Sequence, residues 1–300
     1  MLQNATLLIL MSNLSLERVE WLQFASPILD GSSSVKVSKE LLAQLRIAYA
    51  ASIASTAGNS YEEFELLIEG LSSATKILKT AKDPTPASVG HLVSGIVHLY
   101  ARDPNGYRTY FLEEAEKHFT SGKKVGCNIV VGALAKVRIG ETLLLSISNV
   151  DSSKVMEAHE NLFGAIEDLQ NVTDQYSTAF IDRIRTEAFA SFGVTSYLLS
   201  TVGSEHEQSL REHAINHLAG VVGRTDSLPI GGERWAKAAY TLALAWSEES
   251  NSRSVISSMG LHMDAFMEAE EKVKLVLNEI IKYAREGAPE IWAQAHFRLA

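Results

Sequence analysis

Trp235-Ala236-Lys237-Ala238-Ala239-Tyr240-Thr241-Leu242-Ala243 returns 57 residues later as Trp292-Ala293-Gln294-Ala295-His296-Phe297-Arg298-Leu299-Ala300, with Trp-Ala opening both copies and Leu-Ala closing both. Self-similarity of this kind marks stacked units that each bury one face against the next, so it decides the architecture before any single residue is interpreted. The second copy stops at Leu299-Ala300, and the expectation is a repeat array cut off inside a helix.

Outward from this pair, Gly and Pro fall between apolar stretches of helical period, and no stretch alternates long enough to predict a strand. The first helix of each pair is expected near 39–53, 87–101, 128–148, 179–200, 233–248 and from 290 onward. Their partners are expected near 61–79, 110–121, 154–170, 205–222 and 264–285. Ser60 with Glu63 and Ser204 with Glu207 have capping-box spacing, in which each side chain satisfies a free backbone donor at a helix start. Pro84, Pro86, Pro229 and Pro289 each precede a first helix, where a missing N–H costs little.

One bulky-then-small pair runs through the first helices: Ile47-Ala48, Ser94-Gly95, Ile139-Gly140, Phe192-Gly193, Leu242-Ala243 and Leu299-Ala300. Successive pairs lie 47, 45, 53, 50 and 57 residues apart, and Ser94 alone is not large and apolar. The small residue lets two helices cross closely. In the partner helices a small residue is followed four later by a larger one, as in Ala115 with Phe119, Ala158 with Leu162, Ala214 with Leu218 and Ala269 with Val273. A spacing of four places both on one face, turned toward the first helix.

This pattern resembles tetratricopeptide repeats, although its period exceeds their standard unit of about 34 residues. Pro289-Glu290-Ile291-Trp292-Ala293, preceded by Ile280-Ile281-Lys282-Tyr283-Ala284, is similar to the longer-period arrays found in front of caspase-like CHAT protease domains in bacteria. That closer likeness covers about residues 229 to 300, whereas 39–228 match only the general helical-pair pattern. The resemblance implies an all-α fold, a right-handed α-solenoid of about five and a half antiparallel helical pairs over 39–300. Residues 1–38 are expected to form a capping helix near Ser15 to Phe24 and a linker at Gly31-Ser32-Ser33-Ser34.

Composition narrows the partners. A net charge of −9, with 27 basic residues dispersed among 36 acidic ones, argues against a nucleic-acid backbone as partner. The single cysteine, Cys127, excludes an internal disulfide framework and fits a reducing compartment, so a cytoplasmic location is expected. The apolar run from Ala5 to Met11 has no Lys or Arg before it, unlike a secretory signal, and no apolar stretch is long enough for a membrane span. The Asn-x-Ser/Thr triplets at Asn4, Asn13 and Asn171 then read as chance matches.

Motifs with chemistry are few. His206, His213 and His217 are spaced seven and four apart, which puts them on nearly the same side of the helix expected from Glu205. Such imidazoles could bind zinc; a polar stripe beside Glu205, Glu207 and Glu212 is the alternative, and there is no His-Glu-x-x-His. His91 and His98, also seven apart, sit among apolar neighbours and are expected to be buried or at an interface. Cys127 lies between Gly126 and Asn128 without a cysteine-protease signature and reads as a structural small residue. Neither a dinucleotide fingerprint nor a phosphate loop occurs, so no cofactor and no catalytic residue are expected.

In tetratricopeptide-like stacks the first helices line the concave surface. Carried over, that geometry places Leu45, Tyr49, Leu92, Ile96, Val137, Glu141, Ala190, Val194, Tyr197, Lys237, Tyr240 and Leu244 in a groove, of which Tyr49, Glu141, Tyr197, Lys237 and Tyr240 are the candidate partner contacts. Long helices can equally bury these positions within the stack. The expected function is a non-catalytic interaction, scaffold or sensor module that binds a protein or peptide segment. Two alternatives are the regulatory repeat region of a larger caspase-like protease and a metal-binding helical protein using the histidine stripe. Solenoids normally finish with a polar cap, so Trp292 and Phe297 are expected to need cover from further chain or from self-association.

Overall fold

The structure, a computed structural model, describes residues 37–53, 61–100, 108–124, 128–146, 152–170, 172, 178–202, 206–223, 228, 230–257 and 263–299. Among these residues the regular structure is eleven α-helices and no strand. The capping helix and linker expected within 1–38 fall outside the described residues, as do Cys127, Ser60 and Ser204. The chain divides after Ser146 into two compact units, which separates the two members of the expected third pair.

The first unit contains α1 (Lys39–Ile53), α2 (Tyr61–Leu78), α3 (Thr85–Tyr100), α4 (Arg108–Lys124) and α5 (Ile129–Ser146). Short polar side chains set three of the starts. Ser38 Oγ accepts from the Leu41 N–H at 3.1 Å, Asp83 Oδ1 from Thr85 N–H at 2.9 Å, and Asn128 Oδ1 from Val130 N–H at 2.9 Å. Each satisfies a donor that the first helical turn leaves free. Asn128 is thus the cap of α5 and not its first residue. Consecutive helices pack on each other, and α3 also packs on both α1 and α5, so first helices touch first helices.

The second unit contains α6 (Ser152–Gln170), α7 (Thr178–Thr201), α8 (Glu207–Val222), α9 (Glu233–Ser257), α10 (Met263–Tyr283) and α11 (Pro289–Leu299). Here too neighbours pack in order, with α7 on α9 and α9 on α11. The capping box expected at Ser204 and Glu207 is corrected. His206 occupies the cap position of α8 with no side-chain cap bond, and Glu207 is the first helical residue, its carboxylate 2.6 Å from Arg211. α9 runs nine residues beyond the expected Glu248, because the stretch from Glu249 to Ser257 has no Gly or Pro to stop it.

Small and large residues interlock as the repeat pattern requires. A methyl group added at Gly95 would collide with the Phe119 ring, and one at Gly193 would come 2.6 Å from Leu218 Cγ. Phe119 and Leu218 are fully buried, each stabilising its unit by about 2 to 3 kcal/mol through apolar burial. The last pair departs from the frame. Ala269 and Val273 are only half-buried, and α10 instead buries Val276, Leu277 and Ile280, with Ala284 buried just past its end.

A second close approach fixes the entry to α9. Gly231 has φ +82°, a left-handed conformation that favours glycine, and its Cα faces the Tyr283 carbonyl so closely that no Cβ fits. Gly287 is pressed in the same way against the Gly231 carbonyl. The turn before α9 and the link between α10 and α11 therefore meet backbone to backbone.

Candidate functional site

First and second helices differ in how much surface they keep. α5 buries twelve of its eighteen residues, including Val137, Ile139, Gly140 and Glu141. α8 buries only Ala214, Leu218 and Val221, one stripe at helical spacing. Most of the expected groove is accordingly inside the units: Leu45, Leu92, Val137, Glu141, Ala190, Val194 and Tyr197 are buried. Tyr49, Ile96, Lys237, Tyr240 and Leu244 keep part of their surface exposed. Of the five candidate contacts, Tyr49, Lys237 and Tyr240 are therefore the ones that keep exposed surface.

Glu141 is occupied within its own helix, where Arg138 Nη1 donates to its carboxylate at 2.5 Å. Tyr197 bridges two first helices. Its hydroxyl donates to Glu248 Oε1 at 2.7 Å, and Glu248 Oε2 lies 3.6 Å from Arg211 Nε of α8. Desolvation, followed by the hydrogen bond to Glu248, holds the Tyr197 phenol well above its ordinary range, so it stays protonated at any physiological pH. Glu187, also buried, lies 3.4 Å from Arg183 and 3.6 Å from Arg234. Buried carboxylates need such partners, and the Glu187–Arg234 and Tyr197–Glu248 contacts both tie α7 to α9.

The histidines gather in two aromatic clusters. In the first unit His118 of α4 lies against His91 and His98 of α3, with ring centroids 5.9 and 5.0 Å apart. The expectation that His91 and His98 are buried or at an interface agrees with this packing. In the second unit His159 of α6 stacks on Phe192 at 4.3 Å, with Nδ1 3.0 Å from Thr195 Oγ1. Burial, with repulsion from His213 and His217, pushes His159 down to about 4. His217 stacks on Phe189 at 5.1 Å, and burial lowers it too.

The three histidines of the expected stripe, His206, His213 and His217, have different settings. His206 precedes the helix, His213 points to solvent, and His217 turns inward onto the Phe189 ring. Among the described residues no group of three or more His, Cys, Asp or Glu side chains is placed to hold a metal ion.

Sequence reasoning passed over His118, His159, Glu248 and Arg211. The signal for His118 was present: it directly precedes Phe119 as His217 precedes Leu218, and His91 and Phe189 each stand four residues before the interlocking glycine. The same register thus carries an aromatic pair in both units. Nothing local marks Glu248, whose partner Tyr197 is 51 residues away.

No family model, curated protein or solved structure matches the chain. Among the described residues, no helix is long and apolar enough to cross a membrane.

Proposed function

We propose that the chain is a non-catalytic protein-interaction module, a right-handed stack of tetratricopeptide-like helical pairs that takes a partner's peptide segment along its first helices. The observation that carries this reading is the recurrence of one packing device, a glycine of a first helix receiving a large apolar residue of its partner, at Gly95 with Phe119 and at Gly193 with Leu218. Repeated units of this kind build extended surfaces that bind along their length. Tyr49, Lys237 and Tyr240 are the partner contacts in this reading, because they keep exposed surface whereas Glu141 and Tyr197 are buried. A segment presenting an apolar face with an acidic group suits a tyrosine–lysine pair on one helix.

Affinity capture from the native host tests this, with wild type compared against Tyr240→Ala and Lys237→Glu proteins that keep the wild-type melting temperature. A partner recovered by wild type and lost from both variants supports the reading. Equal recovery by all three removes these residues from the binding face.

A further inference from the structure

Three imidazoles share one seam of the first unit. His118 on α4 lies between His91 and His98 of α3, all three rings within 6 Å of a neighbour. Phe64 of α2 stands edge-on to His98 at 5.3 Å and to Phe111 of α4 at 5.2 Å, so apolar rings close the seam on that side. His98 is buried, with Nδ1 2.7 Å from the Ser94 carbonyl oxygen, to which it donates. His91 Nε2 is buried without a hydrogen-bond partner.

The surrounding charges do little to accommodate protonated rings. Glu114 on α4 favours charge on His98 and His118, but it is already engaged by Lys117 at 2.6 Å. Lys79, just past α2, opposes charge on His91. On α5, Arg138 and Glu141 pair with each other, and α1 contributes no charge among those that shift these rings. One engaged carboxylate does little to offset three neighbouring cations where His98 is buried and His91 and His118 are half-buried.

We propose that this seam is an acid-operated latch: protonation of His91, His98 and His118 releases α4 from α2 and α3 and uncovers Phe64, Phe111 and Phe119 before the rest of the first unit unfolds. Neutral rings pack in the seam without a charge to solvate. Burial pushes His118 down to about 4, with repulsion from His98 and His91 adding to it, and burial lowers His98 and His91 as well. The contribution of His118 is therefore complete above an ordinary histidine's 6.5 and is lost as pH falls toward 4, and those of His98 and His91 are lost in the same direction. At pH 5, His118 alone shifts the opening equilibrium about tenfold once solvent screening is allowed for. The second unit shows that an aromatic pair without paired imidazoles fits this register, because Phe189 faces His217 there.

Amide hydrogen exchange on the full chain at pH 7, 5.5 and 4.5, corrected for the intrinsic rate, tests the latch in wild type and in His91→Phe/His118→Phe. Wild-type α4 should lose protection near pH 5 ahead of α1 and α5, and the double variant should keep about tenfold more protection there. Loss of protection in α4 no earlier than in its neighbours, or at the same pH in the variant, overturns the proposal. Should the double variant not fold at pH 7, His91→Phe is measured in the same way. The imidazole titration of wild type by NMR is independent of both, and a His118 that titrates near 6.5 also overturns it.

Discussion

The phenolic hydroxyl of Tyr197 on α7 donates to Glu248 on α9 at 2.7 Å, and the same carboxylate lies 3.6 Å from Arg211 on α8. One buried side chain thus joins three helices through a single acid. Tyr197, at a position expected either to line the groove or to be buried within the stack, is buried and braces α7 against α9.

Tyr197→Phe keeps the ring and removes the hydroxyl from which Glu248 accepts. The expected cost is about 1 to 2 kcal/mol. Tyr197→Ala also leaves a cavity and should cost about 3 to 5 kcal/mol. Chemical denaturation followed by circular dichroism measures both, and a Phe variant as stable as wild type would show the bond to be incidental.

Glycines at different places in the same array should respond in opposite directions to alanine. A Cβ at Gly95 or Gly193 enters the space of Phe119 or Leu218, whereas one at Gly70 or Gly220 meets nothing within 4 Å. Gly95→Ala and Gly193→Ala should each destabilise by about 1 to 3 kcal/mol. Gly70→Ala inside α2 and Gly220→Ala in the last turn of α8, both facing open space, should stabilise by about 0.5 to 1 kcal/mol. Melting temperatures of the four variants decide the matter.

The helical framework was legible in the sequence because it depends on local order. Gly, Pro and short polar caps punctuate a regular apolar period, and the ends of α1, α6 and α8 fall where that period stops. α9 overran its expected end because a polar, charged stretch without Gly or Pro gives no stop signal. The candidate site was less legible. Whether Tyr197 or Tyr240 faces solvent depends on which helix lies across it, and Glu248, far along the chain, settles the question for Tyr197. The three histidines of the expected stripe differ in setting for local reasons: His206 occupies the cap position of α8, His213 is exposed and His217 lies on the Phe189 ring.

Acid should weaken the second unit through His159. Burial, then repulsion from His213 and His217, holds its pKa at about 4 against 6.5 for an ordinary histidine, so folding favours the neutral ring. The stability it supports is complete above pH 6.5 and falls as pH drops toward 4. At pH 5 the expected loss is of order 1 kcal/mol after allowing for its partial exposure. His159→Phe, which retains a ring against Phe192, should show a smaller fall in melting temperature between pH 7.5 and 5; an unchanged fall would place the acid sensitivity elsewhere.

Gly231→Ala should be the costliest glycine substitution in the second unit. It combines a left-handed backbone with a Cβ directed at the Tyr283 carbonyl. A loss of about 2 to 3 kcal/mol is expected, from backbone strain plus displacement of main chain that cannot rotate away. Gly231→Ala melting like wild type would mean that the turn before α9 readily takes another path.

The interlock of first-helix glycine with partner-helix side chain is tested most directly by a double-mutant cycle of Gly95→Ala and Phe119→Leu, read by equilibrium denaturation. Leucine lacks the ring atoms that crowd the added methyl group. Gly95→Ala should therefore cost about 1 to 3 kcal/mol in the wild-type background and less than half as much in the Phe119→Leu background. Equal cost in both backgrounds would contradict the account, because the glycine would then be needed for some reason other than the close approach of Phe119.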